Sequence, residues 1–255
     1  MIDALHIAAS GLKGQQSQID TISNNVANMQ TPGFKQQRGS FADVSVITPG
    51  QVQAGMAPEH AGAGTQLVDT RTLFSQGTLR LTGNTWDLAI QGDGFLEVVD
   101  DAGNHLYTRD GQLHVDSQGS LATAGGYRLA QDIQIPPDAK NLTVDANGQI
   151  SAIVGNDTAT TVIGSIDLSS FPSPEGLQAV GSGNYAPTEA SGEPTVGKAN
   201  ENGAGSIVQG SLEGANVDMV DAMSSLMMAQ RAYQLNARVL QAADQILDTI
   251  NNLRQ

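Results

Sequence analysis

The chain has 255 residues, 39% of them hydrophobic, which is enough for one large domain or two modest ones and excludes a disordered tail. Aromatic residues make up only 4% against 29 glycines, a balance that favours short strands and tight turns over a large aromatic-lined pocket. The net charge of −14 is unevenly placed: residues 1 to 35 sum to zero and 216 to 255 to −1, which leaves −13 in the middle, with no basic stripe for a nucleic-acid partner.

The absence of cysteine excludes both a disulfide scaffold and a thiolate metal site. The opening MIDALHIAASGLKGQQ has neither the basic start nor the continuous apolar run of a secretory signal, so export is expected to use another route. No apolar run approaches the ~18 residues of a membrane helix, and no stable membrane insertion is expected.

Leu5, Leu12, Ile19 and Val26 recur at seven-residue spacing, with Ala8, Ile22 and Met29 on the companion position. This predicts a long helix over about residues 3 to 29, ended by Thr31, Pro32 and Gly33. Charge is scarce on it, and its other positions are Ser, Gln, Asn, Gly and Ala. A solvated helix is usually covered with Glu, Lys and Arg, so this surface is read as one that other protein covers. Asn24, Asn25 and Asn28 share one side, where their amides could bond to neighbouring helices without the desolvation cost of a charge. The small residues Ala8, Ala9, Ser10, Gly11 and Gly14 would allow close helix approach.

Residues 36 to 75 and 191 to 215 are rich in Gly, Ala, Thr and Pro and read as extended connectors. Between them, residues 76 to 190 alternate in short strands such as FLEVV, separated by turns. Asp110-Gly111, Gln118-Gly119 and Asn147-Gly148 are the expected hairpin points. At the far end Met219, Leu226, Tyr233, Leu240 and Leu247 repeat every seven residues, with Ala222, Ala229, Ala243 and Ile250 three further on. A second helix is expected over about 217 to 252, capped by Asn216, with Asp218 and Asp221 near its positive end. The fold class is therefore α+β: a helical domain from residues 1–35 and 216–255, its helices pairing as a coiled coil, with an inserted, mainly antiparallel β domain.

Chemistry-bearing patterns are sparse. His6, His60, His105 and His114 have no ligand spacing, and no metal or other cofactor is expected. The acidic loops at Asp100, Asp101, Asp145 and Asp157 lack a calcium-loop pattern and read as turns. Gly92-Asp93-Gly94 is a tight turn without the third glycine or following helix of a phosphate loop, and no GxSxG elbow exists. A glycosidase-like carboxylate pair lacks sugar platforms, since Trp86 alone is tryptophan and a core role accounts for it. No catalytic residue is assigned.

The segment SNNVANMQTPGFK, residues 23 to 35, resembles the N-terminal signature of flagellar rod and hook proteins, and the opening is similar to its distal-rod version. Residues 76 to 96, 107 to 129 and 210 to 247 are similar to the same family in order and spacing. The resemblance implies a self-assembling structural subunit of a helical tube, with the terminal helices as a wall around an export channel and the β domain outward. It implies export through the flagellar type III apparatus, torque transmission inside the bushing of the L and P rings, and proximal rod and hook subunits as neighbours. Carried over by position, Asn24, Asn25, Asn28, Thr31, Gly33, Phe34, Gln230, Arg231, Ala232 and Tyr233 would be assembly residues, joined by the heptad residues above. The stretch from Phe41 to Gly77 is shorter than in distal-rod proteins, so a proximal rod subunit is the alternative, followed by a secreted β-rich binding module.

Overall fold

The computed structural model describes residues 2–47, 60–155, 159–201 and 203–253, and Asp157 lies outside them. The chain is α+β and divides into two compact units. The first combines Met1–Ala27, Gln37–Arg71 and Asp218–Gln255, and the second combines Asn28–Gln36 with Thr72–Val217.

In the first unit, α1 (Ile2–Ala27) lies against α2 (Met219–Leu253), the two helices that the apolar periodicity predicts. The cap of α2 is not Asn216. Asp218 takes that role, its Oδ1 accepting bonds from the N–H groups of Val220 at 2.8 Å and Asp221 at 3.0 Å. The expected connector after α1 carries two long strands, β1 (Gln37–Ile47) and β2 (His60–Thr72), paired as a two-stranded sheet. Asn25 anchors the start of β1: its amide donates to the Gln37 carbonyl at 2.7 Å and its Oδ1 accepts the Gln37 N–H at 2.9 Å.

The second unit is antiparallel β. Its largest sheet contains Phe95–Val99, His105–Thr108 and Arg128–Leu129, with Val98 opposite Leu106 and Leu129. The expected returning connector is woven into this unit, because its backbone groups find sheet partners. Thr195–Lys198 pairs with Asp167–Ser170, Ser206–Gln209 with Leu88–Gln91, and Ser211–Glu213 with Leu79–Leu81.

Hairpins form at Gln118-Gly119 and Asn147-Gly148, whose glycines have φ of 85° and 82°. At Asp110-Gly111 none forms, since His105–Thr108 pairs elsewhere and the following strand, Leu113–Val115, pairs with Leu121–Thr123. Gly111 serves close packing instead: its carbonyl accepts the Leu88 N–H at 2.9 Å, and a Cβ there would collide with the Leu88 carbonyl. Asp100 behaves as a turn residue, accepting from the N–H groups of Ala102 and Asn104, both at 2.8 Å.

Two apolar clusters fill the β unit. Leu88, Ile90, Leu96, Leu121, Ile150, Ile166, Leu168 and Ile207 form the aliphatic one, and half-buried Trp86 packs against it. The scarce aromatics are concentrated in the other. Phe74 meets Phe95 edge to face at 5.2 Å, and Tyr107 meets Phe171 at 4.8 Å. Burial pushes the Tyr185 hydroxyl from its ordinary 10.0 up to about 12, and burial also raises that of Tyr107. In the unfolded chain Tyr185 ionises near 10, so its contribution to stability is whole below that pH and is lost as pH rises towards 12. Tyr185→Phe is therefore expected to flatten the fall in unfolding free energy, read from urea titrations between about pH 10 and 12, by up to ~1.4 kcal/mol per pH unit.

Candidate assembly surface and its buried anchor

Three side chains that sequence reasoning left without roles form the most buried charged group of the β unit. Glu213 ends the strand Ser211–Glu213, Lys35 lies in the segment after α1, and Arg109 follows the strand His105–Thr108. The Lys35 ammonium donates to Glu213 Oε1 at 2.6 Å and to the Ser75 carbonyl at 2.9 Å. Arg109 Nη1 donates to Glu213 Oε2 at 3.4 Å and to the Gly92 carbonyl at 2.9 Å, while its guanidinium lies 5.1 Å from the centre of the Phe95 ring. The side chains of Lys35 and Glu213 are 0% exposed and that of Arg109 is 2% exposed. Burial pushes the Lys35 ammonium and the Arg109 guanidinium below their ordinary ranges, and Glu213 opposes that shift in both.

Main-chain bonds converge on the same place. Gly33 donates to the Glu213 carbonyl at 2.8 Å and Gly77 to Glu213 Oε1 at 2.8 Å. Gly33 has φ of 68°, and a Cβ on it would come within 2.6 Å of the Arg109 carbonyl carbon. Asn216, freed from capping, accepts the Gln36 N–H at 2.7 Å and donates to the Leu73 carbonyl at 2.8 Å. The segments that follow α1 and precede α2 are thus pinned to one another inside the β unit.

The heptad residues divide by exposure. Leu5, Leu12, Ile19, Ile22, Val26, Phe34, Leu226 and Leu240 are half-buried, whereas Met219, Gln230, Arg231 and Tyr233 are exposed. The side chain of Leu247 lies outside the described residues. Asn25 is buried by its bonds to Gln37 within the chain, so its amide is not left over for a neighbouring helix. Asn24 donates to Gln37 Oε1 at 3.2 Å, and the Thr31 hydroxyl donates to Asn28 Oδ1 at 3.4 Å. Gly33 is buried beside Arg109, and Thr31 is exposed.

A surface that the heptad pattern missed lies across α2 from this seam. At 100° per residue, Ala222, Leu226, Ala229, Asn236 and Leu240 share one side, and Val220, Met223, Met227, Met228, Leu235, Val239 and Ile246 share the other. Val220, Met228 and Leu235 expose 76, 68 and 61% of their surface. The signal was present, since four of the seven methionines fall within residues 219 to 228. Arg231 and Arg238 lie among these residues, and a helix that leaves this much apolar side chain exposed beside them is one that other protein covers. Among the described residues no group of three His, Cys, Asp or Glu is placed to hold a metal, and no helix is long and apolar enough to cross a membrane.

An α+β chain whose termini are helices with apolar surface left over has the form of an assembling subunit. Its sequence matches the family model of the flagella basal body rod protein over residues 5–35. It matches that of the flagellar hook protein FlgE/F/G D1 domain over 89–152 and of the flagellar basal body rod FlgEFG protein C-terminal domain over 208–253. It is 36% identical to the flagellar basal-body rod protein FlgG of Agrobacterium fabrum, covering 97% of this chain and 98% of that one. FlgG of Borreliella burgdorferi is 34% identical and FlgG of Bacillus subtilis 33%, each over the whole of both chains. The chain belongs to the flagellar basal-body rod protein family and is close to FlgG.

Glu213→Gln leaves two cations buried with no carboxylate and is expected to lower unfolding stability by ~3–5 kcal/mol, read by urea denaturation. The double variant Lys35→Met, Glu213→Leu removes charge of both signs and should recover part of that loss.

Proposed function

We propose that this chain is a distal-rod structural subunit of the bacterial flagellum, and not an enzyme. Copies self-assemble into a helical tube that encloses the export channel and transmits motor torque to the hook. The helices α1 and α2 pair as a coiled coil and form the inner wall, and the acidic β unit faces outward. The neighbours are proximal rod and hook subunits, with the L and P rings around them. The subunit reaches the periplasm-spanning rod through the flagellar type III apparatus. The FlgG relatives, aligned over almost the whole chain, support the distal position.

The observation that carries the reading is the uncovered apolar face of α2. Covering its seven side chains is worth on the order of 1–2 kcal/mol each, comparable in sum with the ~4–15 kcal/mol that immobilising a partner costs. The heptad residues Leu5, Leu12, Ile19, Ile22, Val26, Leu226, Leu240 and Leu247 hold the helix pair, while Met219, Gln230, Arg231 and Tyr233, with Asn24, Asn28, Thr31 and Phe34, face other copies. Asn25 and Gly33 act inside the chain, placing those surfaces.

Leu235→Asp puts a charge on the exposed face, and Val162→Asp puts one on an exposed residue of the β unit. Sedimentation across concentration, with circular dichroism and swimming of complemented cells, is expected to show folded but non-polymerising protein for the first and normal assembly for the second. Polymerisation of Leu235→Asp at the native concentration would refute the reading.

A further inference from the structure

Within the helical unit, α1, α2 and β2 leave a notch of about 440 Å³ lined by Ile7, Ala8, Gly11, Gly64, Thr65, Asn236 and Val239. Apart from the Thr65 and Asn236 side chains its walls are apolar or bare backbone. Glycine keeps it open: a Cβ on Gly11 would lie 2.9 Å from Asn236 Nδ2, and one on Gly64 would run into the Ser10 hydroxyl. Gly64 has φ of 115°, a conformation that side chains rarely adopt. Ile7 and Val239 stand exposed at the rim.

We infer that this notch is the socket of the contact between copies and that it receives the Met228 side chain of a second copy. The inference rests on the self-assembly reading above and adds which surfaces meet. A polymer that grows without limit needs two different, complementary patches on each subunit, because a self-complementary patch closes a dimer. The helical unit supplies one concave patch at the notch and one convex patch on α2, where Met223, Met227 and Met228 stand exposed. The notch lining contains no ionisable side chain, and Arg231, exposed beside the methionines on α2, is a cation, which suits a contact between copies that each carry −14. Of the three methionines Met228 is the most exposed, and its unbranched thioether adapts to an irregular hole where a β-branched residue would not. In a head-to-tail polymer equivalent helices run the same way. Seating Met228 beside Asn236 and Val239 of a neighbour therefore sets an axial offset of roughly 15 Å, at 1.5 Å per helical residue.

The cysteine-free sequence permits a direct test. Met228→Cys and Val239→Cys single variants are prepared separately, assembled alone or mixed under native polymerising conditions, and oxidised. Within one chain the two positions are roughly 16 Å apart along the helix, beyond the ~7 Å that a disulfide spans, so any bridge joins two copies. The expected result is a cross-linked dimer in the mixture and none in either variant alone. Cross-linking of Met228→Cys with itself would overturn the inference in favour of a self-complementary contact. Polymers that form in the mixture without cross-linking would also overturn it, while leaving the self-assembly reading intact. If wild-type protein never leaves the monomer in sedimentation, the self-assembly reading fails, and this inference with it.

Discussion

Glu213 brings a carboxylate into a place that water does not reach, and the way its charge is answered organises the β unit. One oxygen takes Lys35 and the Gly77 N–H, the other takes Arg109, and its own carbonyl takes the Gly33 N–H. These partners come from the segment after α1, from the segment entering the β unit and from the middle of the main sheet. An aliphatic residue of similar volume would pack there, but without directional bonds to three separate pieces of chain. A charged group leaves few alternatives, since any arrangement that loses one partner exposes an unpaired charge to a low dielectric. Arg109 extends the constraint to the aromatic cluster through Phe95, so the ion group and the scarce aromatic rings hold one another in register.

The two units solve opposite problems. In the β unit the aliphatic and aromatic clusters are buried, and acidic loops use carboxylates as turn acceptors in water. The helical unit is incomplete. One side of α2 packs within the chain through small residues such as Ala222 and Ala229, and the opposite side carries, among the described residues, seven large apolar side chains in the open. Acidic charge concentrated in the middle of the sequence keeps separate copies soluble, and the nearly neutral ends let them meet.

Both helices were legible because periodicity survives any tertiary arrangement. Among the described side chains the heptad residues are half-buried or buried, apart from exposed Met219 and Tyr233. Local turn chemistry was legible at Asp100, Gln118-Gly119 and Asn147-Gly148 for the same reason, since those turns are decided within a few residues. Asp110-Gly111 carries the same dipeptide signal and makes no hairpin, because the Leu88 backbone from a distant strand occupies the space beside Gly111. Asn216 was the expected cap, and the role fell to Asp218 because Gln36 and Leu73 claim the Asn216 amide from across the chain. Gly-, Ala- and Thr-rich segments looked like connectors because strand pairing between distant segments leaves little periodic trace when one face is not strongly apolar.

The sequence by itself determined the α+β class, the two terminal helices, the nearly neutral ends and the family, because these depend on residue order and composition along short stretches. The tertiary structure alone decided that Lys35, Arg109 and Glu213 share one buried site, although they are up to 178 positions apart. It alone decided which side of α2 remains uncovered. Both are questions of which distant surfaces meet, and seven-residue spacing marks a stripe without saying what packs against it.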